Sequence, residues 1–108
     1  EIWLYSLPAT VTDIQTAFVA ATRGYSCFKR GQVGLGRQLY LSAIRKLADE
    51  HQEGLVANAM LCRAIAEQEA CTDVRDNVSA EALRVSKAFT DPSIRLLRTA
   101  LSDGKAKD

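Results

Sequence analysis

The sequence predicts an all-α protein of about five helices in antiparallel helical hairpins, and three observations carry that expectation. Apolar residues recur at spacings of three and four, capping signals stand where those stripes begin, and only two prolines interrupt the 108 residues. Hydrophobic residues make up 47% and charged residues 25%, ordinary proportions for a globular domain. A chain of this length holds one core. The pattern divides it into an extended lead-in over 1–11, a helical domain over 12–102 and a disordered polar tail over 103–108.

Residues 1–9, EIWLYSLPA, are apolar and aromatic, with no helix signal before Pro8. Trp3 and Leu4 either pack over one end of the helices or form the join to an upstream domain, and both readings stay open. The chain begins at Glu1 without a methionine or a leader pattern, so it is expected to be a piece of a longer protein.

The first helix is signalled by Thr12 and Gln15, a capping-box pair, with Thr10 and Asp13 as an overlapping alternative. Its stripe runs through Ile14, Ala17, Phe18, Ala21, Tyr25 and Phe28. Lys29 and Arg30 suit a helix C-terminus, and Gly31 ends it. A second helix over about 33–51 puts Leu39, Tyr40, Ala43 and Leu47 on one face, with Arg37, Arg45 and Lys46 largely on the other. The polar run 49–54 follows, with Gly54 as the expected turn.

Residues 55–70, LVANAMLCRAIAEQEA, are small or apolar on nearly every side, so this third helix should be covered on more than one face. A polar loop over 71–77 leads to a fourth helix capped by Ser79 and reaching Phe89, with Val78, Ala82, Val85 and Phe89 together. Asp91 and Pro92 then supply an N-cap and a first helical position. The last helix turns Ile94, Leu97 and Leu101 inward, and Leu96 leaves some apolar surface.

Within 24–48 the order Gly24, Gly31, Gly36, Tyr40, Ala43 has a physical logic of its own. Two helices approach closely only where side chains are small, and glycine inside a helix costs about 0.5–1 kcal/mol relative to alanine, so its use there needs a packing reason. The same order resembles a tetratricopeptide (TPR) unit. Ala20, Cys27 and Ala48 stand where that family favours tryptophan, tyrosine and proline. Moving on by the family's repeat of about 34 residues places Lys29 on Arg63, while the small position falls on Asn58 between Ala57 and Ala59. The resemblance implies a right-handed stack of hairpins with a concave groove. Ala21, Tyr25, Phe28 and Lys29 from the first repeat would face it, joined by Leu55, Ala59, Cys62 and Arg63 from the second. Lys29 and Arg63 would then meet an acidic group or a chain-terminal carboxylate.

Nothing in the sequence points to catalysis. Gly31, Gly34 and Gly36 follow no strand and precede no Gly-Lys-Ser/Thr, so they form no phosphate cradle. His51 is the single histidine, and Cys27, Cys62 and Cys71 contain no C-x-x-C pair, so no zinc site and no cofactor is expected. Cys62 and Cys71 on one helix would be about 13 Å apart in rise, beyond disulfide reach. Reduced thiols in a cytoplasmic setting fit best. Glu67 and Glu69 read as solvated carboxylates. A net charge of +1 gives no strong pull on nucleic acid or membrane, and no apolar run approaches the roughly 20 residues of a membrane span. Lys29, Arg30 and Arg37 beside Tyr25 and Phe28 are ingredients of single-strand binding, but those aromatics stand at core spacing. The expected function is a non-catalytic module that binds a peptide or partner helix, with self-association as the alternative.

Overall fold

A computed structural model describes residues 9–70 and 77–107 of the chain. Among them stand five α-helices: α1 (Ala9–Lys29), α2 (Val33–Asp49), α3 (Glu53–Glu69), α4 (Asn77–Ser86) and α5 (Pro92–Lys107). The protein is all-α. Of the lead-in expected over 1–11, residues 1–8 lie outside the described residues and 9–11 are helical; nearly all of the expected polar loop, 71–76 with Cys71, also lies outside them.

The boundaries of four helices differ from the sequence reading. Helix α1 begins at Ala9, so Thr12 and Asp13 lie inside it instead of capping it. Ser79 is fully buried within α4, which ends at Ser86, three residues short of Phe89. Gly54 sits in the first turn of α3, facing Phe89 at 3.7 Å from where a Cβ would stand, and the turn falls earlier, at His51. Helix α5 continues through 103–107, where a tail was expected. Leu101 is wholly buried, and Gln68 Nε2 donates to its carbonyl at 3.3 Å, so the last turns are anchored on α3 in spite of their polar composition.

Helices α1 and α2 end in the same way. Gly31 N–H bonds the Phe28 carbonyl at 3.1 Å and Gln32 N–H bonds the Cys27 carbonyl at 2.8 Å, the paired closure that a left-handed residue after the helix permits. Gly31 supplies that residue with φ 81°. At the end of α2 the bonds repeat, from His51 to Ala48 at 3.0 Å and from Gln52 to Leu47 at 2.9 Å. There the left-handed residue is His51, with φ 57°.

The contacts fix the helix directions. Asp13 pairs with Lys46, Ala17 clusters with Ala43 and Leu47, and Phe28 meets Gly36, so partners run in opposite order and α1 and α2 are antiparallel. Helices α1 and α3 run the same way, since Ala17 and Ala21 cluster with Leu55 and Ala59 while Tyr25 reaches Glu69. Helix α5 also follows α3, with Asp91 near Gly54 at one end and Leu101 at Gln68 at the other. Helix α2 packs on α1 and α3, and α4 on α3 and α5.

This arrangement makes α3 the centre. Its Ala57, Leu61 and Ala64 join Ala82, Ile94 and Leu101 in one core, while Ala59 and Ala66 join two others shared with α1 and α2. The expectation that α3 is covered on more than one face holds, and its small side chains are what let helices approach on several sides. The crossing of α1 and α2 is tighter still. A Cβ on Gly24 would stand 3.0 Å from Tyr40 and 3.1 Å from the Gly36 carbonyl oxygen, so the two backbones meet directly.

Candidate functional site

The parallel course of α1, α3 and α5 leaves a groove along one side of the bundle. Its cavity is about 420 Å³, and its walls include Ala17, Phe18, Ala21 and Tyr25 of α1, Leu55, Asn58, Ala59, Cys62 and Ile65 of α3, and Leu97 of α5. Among the described residues no lining side chain carries a charge, and the polar side chains are those of Thr22, Tyr25, Tyr40, Asn58 and Cys62. Phe18 is 48% exposed, a large apolar side chain left facing solvent at this wall. Ala17 and Ala59 in the floor are buried between helices, where only small side chains fit.

Tyr25 closes one end. Its hydroxyl donates to Glu69 Oε1 at 3.0 Å, and the Lys29 ammonium lies 5.2 Å from its ring centroid. Its closeness to Tyr25 first, and then the Glu69 carboxylate, hold the Lys29 ammonium above the usual lysine range. Beyond Tyr25 lies a more polar cavity of about 480 Å³ that Phe28, Lys29, Val33, Ala66 and Glu69 help to line. Phe28 is itself 4% exposed and packs on Tyr40 with ring centroids 6.0 Å apart.

In the groove wall the Cys62 thiol donates to Asn58 Oδ1 at 3.6 Å. Burial pushes that thiol up from the ordinary cysteine range, so it stays protonated and a weak nucleophile. Tyr40, deep between α1 and α2, is likewise raised, first by burial and then by Cys62, Tyr25 and Glu69.

Of the residues expected at a binding surface, Ala21, Tyr25, Leu55, Ala59 and Cys62 line this one groove. Phe28 and Lys29 stand in the adjoining cavity with Tyr25. Arg63 is placed elsewhere: it lines a cavity of about 580 Å³ between α2, α3 and α4, with Leu41, Ile44, Met60 and Val78. Lys29 and Arg63 therefore line different cavities. The sequence reading did not place Ile65 at the groove, and gave Phe18 and Leu97 only as stripe residues.

Glu67 is the largest departure from expectation. It is 1% exposed, not solvated, because it points between α2 and α3. Arg37 Nε and Nη2 donate to its Oε1 at 2.9 and 2.6 Å, and Arg63 Nε donates to its Oε2 at 3.1 Å. A buried carboxylate persists only where such donors replace its water. The i, i+4 relation of Arg63 and Glu67 was visible in the sequence, but Arg37 is 30 residues away.

The basic and aromatic residues around the first turn are not displayed together. Phe28 is buried, Lys29 covers Tyr25 and Arg37 holds Glu67. Among the described residues no group of three His, Cys, Asp or Glu side chains is placed to hold a metal, and no helix is long and apolar enough to cross a membrane. No family model matches the chain, and no curated protein or solved structure matches it.

Proposed function

We propose that this chain is a TPR-like, non-catalytic interaction module whose uncharged groove receives the apolar face of a partner peptide or helix. The observation that carries this reading is the groove itself: about 420 Å³ with no charged lining residue, and a half-exposed Phe18 in its wall. Area removed from water is the chief gain such a surface offers, at roughly 25 cal/mol per Å² before the costs of association. The order of helices supports the TPR-like part, since α1, α3 and α5 follow one another in parallel while α2 and α4 each pack beside two of them. The free thiols of Cys27 and Cys62 support a reducing, cytoplasmic setting.

A photo-crosslinking side chain at Phe18 tests the reading in native cell extract, with Ala21→Arg placing a charged chain in the wall. Capture of a defined protein that Ala21→Arg abolishes, and that Gln38→Arg on an exposed face leaves intact, supports the groove. Equal capture by every version, or none, overturns it.

A second reading rests on Leu96, which is 72% exposed on α5. In this alternative a second copy of the chain packs against α5, with Leu96 as its candidate contact. Sedimentation over a wide concentration range decides: a species that stays monomeric throughout removes this reading.

A further inference from the structure

The cavity between α2, α3 and α4 differs in chemistry from the groove on the other side of α3. Its volume of about 580 Å³ falls within the range of small-ligand sites, roughly 300–1,000 Å³. Leu41, Ile44, Met60 and Val78 make it largely apolar, and Leu41 is left 46% exposed. One cation in its wall is only partly used. The Arg63 side chain is 19% exposed, its Nε is bonded to Glu67 at 3.1 Å, and its terminal amino groups make no hydrogen bond among the described residues.

An Arg63 side chain mostly covered by protein, whose unbonded donors reach the surface of the cavity, favours an acceptor that is itself charged. The other ions in the wall, Glu81 and Arg84, are bonded to each other at 3.0 Å, and both are so exposed that water screens the charge they leave over. Glu81 also disfavours a dianion such as a phosphate, since its carboxylate would stand in the same cavity. The first residues of α4, Asn77 and Val78, lie at the wall too, and the start of a helix carries partial positive charge. What remains is a ligand with one negative head and an aliphatic body.

We infer that this cavity is a binding site for an aliphatic monocarboxylate, the carboxylate on the outer donors of Arg63 and the chain along Leu41, Ile44, Met60 and Val78. The site is separate from the α1, α3, α5 groove, so the two assignments stand or fall apart.

The test is a methyl NMR titration of the intact chain with decanoate, decanol and decyltrimethylammonium, each below its micelle concentration. The expected result is saturable shifts at Leu41, Ile44, Met60 and Val78, with decanoate bound at least about tenfold more tightly than decanol, the worth of one charge-assisted hydrogen bond. Arg63→Gln should abolish that preference. Because Arg63 also holds Glu67, Leu41→Glu provides a second variant that leaves that contact alone; it should weaken decanoate at least about tenfold by placing a like charge at the site. Equal affinity for the three amphiphiles, shifts centred on Leu55 and Leu97, or no saturable shift at all would each overturn the assignment.

Discussion

Gly36 and Phe28 stand so close across the α1–α2 crossing that a Cβ on Gly36 would lie 2.7 Å from Phe28 Cδ2 and 3.0 Å from the Gly24 carbonyl oxygen. Backbone lies on one side and a ring that is 4% exposed on the other, so neither neighbour has room to withdraw. Gly36→Ala should therefore destabilise the protein by about 1–3 kcal/mol, the usual cost of overpacking. Gly34, two residues earlier in α2, has nothing within 4 Å of its missing Cβ. Gly34→Ala should be neutral or stabilising, by up to about 1 kcal/mol. Urea unfolding of the two variants should give opposite signs, and equal behaviour would refute the close-approach account.

Glu67 makes a sharper prediction. Glu67→Gln removes the carboxylate charge that Arg37 and Arg63 share while keeping the shape of the side chain. The arginines left behind reach water, Arg37 being 41% exposed, so the loss should be about 1–3 kcal/mol, less than for a fully buried pair. Replacing Arg37, Arg63 and Glu67 together by apolar residues of similar size should recover most of the loss. A loss below about 1 kcal/mol for Glu67→Gln, measured by chemical denaturation, would show that the buried charge is not what joins α2 to α3.

His51 holds a left-handed backbone, φ 57°, where Gly31 does the same work at the other turn. A side chain in that conformation costs roughly 1–2 kcal/mol that glycine does not. His51→Gly should raise the melting temperature, after deduction of the greater freedom that glycine has in the unfolded chain. Thermal unfolding checks it, and a drop in melting temperature would mean that the imidazole contributes more than its backbone strain removes.

Alkaline pH gives a fourth test. The buried Tyr40 phenol is raised above its ordinary value near 10.0, and the Cys62 thiol above its ordinary value near 9.0. In both cases the folded chain keeps a proton that the unfolded chain gives up. The stability these groups contribute is thus complete below pH 9 and declines as pH rises past 9 for Cys62 and past 10 for Tyr40. Tyr40→Phe should flatten the higher-pH part of that decline in unfolding measurements, and an unchanged profile would assign the decline to other groups.

The helices were legible in the sequence because their stripes are long and their stop signals strong. Gly31 and Pro92 fell where they were expected, at the close of α1 and the start of α5. What failed was local signal overruled by distant packing. Ser79 resembles a cap but is buried inside α4, and a polar stretch after Leu101 continues as helix.

The groove was legible in part through the TPR resemblance. Its repeat offset set Ala21 and Tyr25 of one helix beside Ala59 and Cys62 of another, and these four line one cavity. Arg63 follows Cys62 directly, and one residue turns a helix by about 100°, enough to carry it from one cavity to the other. No periodicity in a single stretch could show that Glu67 is buried, because its second partner belongs to another helix.

The alanine floor bears on how the groove could change. At Ala17, Ala21 and Ala59 the wall lies at the lower limit of side-chain size, so nearly every substitution there adds bulk. Ala17 is 1% exposed and Ala59 6%, both committed to holding helices together. Ala21 is only partly covered and can grow without displacing a helix. A lineage could thus narrow its choice of ligands one methyl at a time at a single position, while the rest of the bundle stayed unaltered.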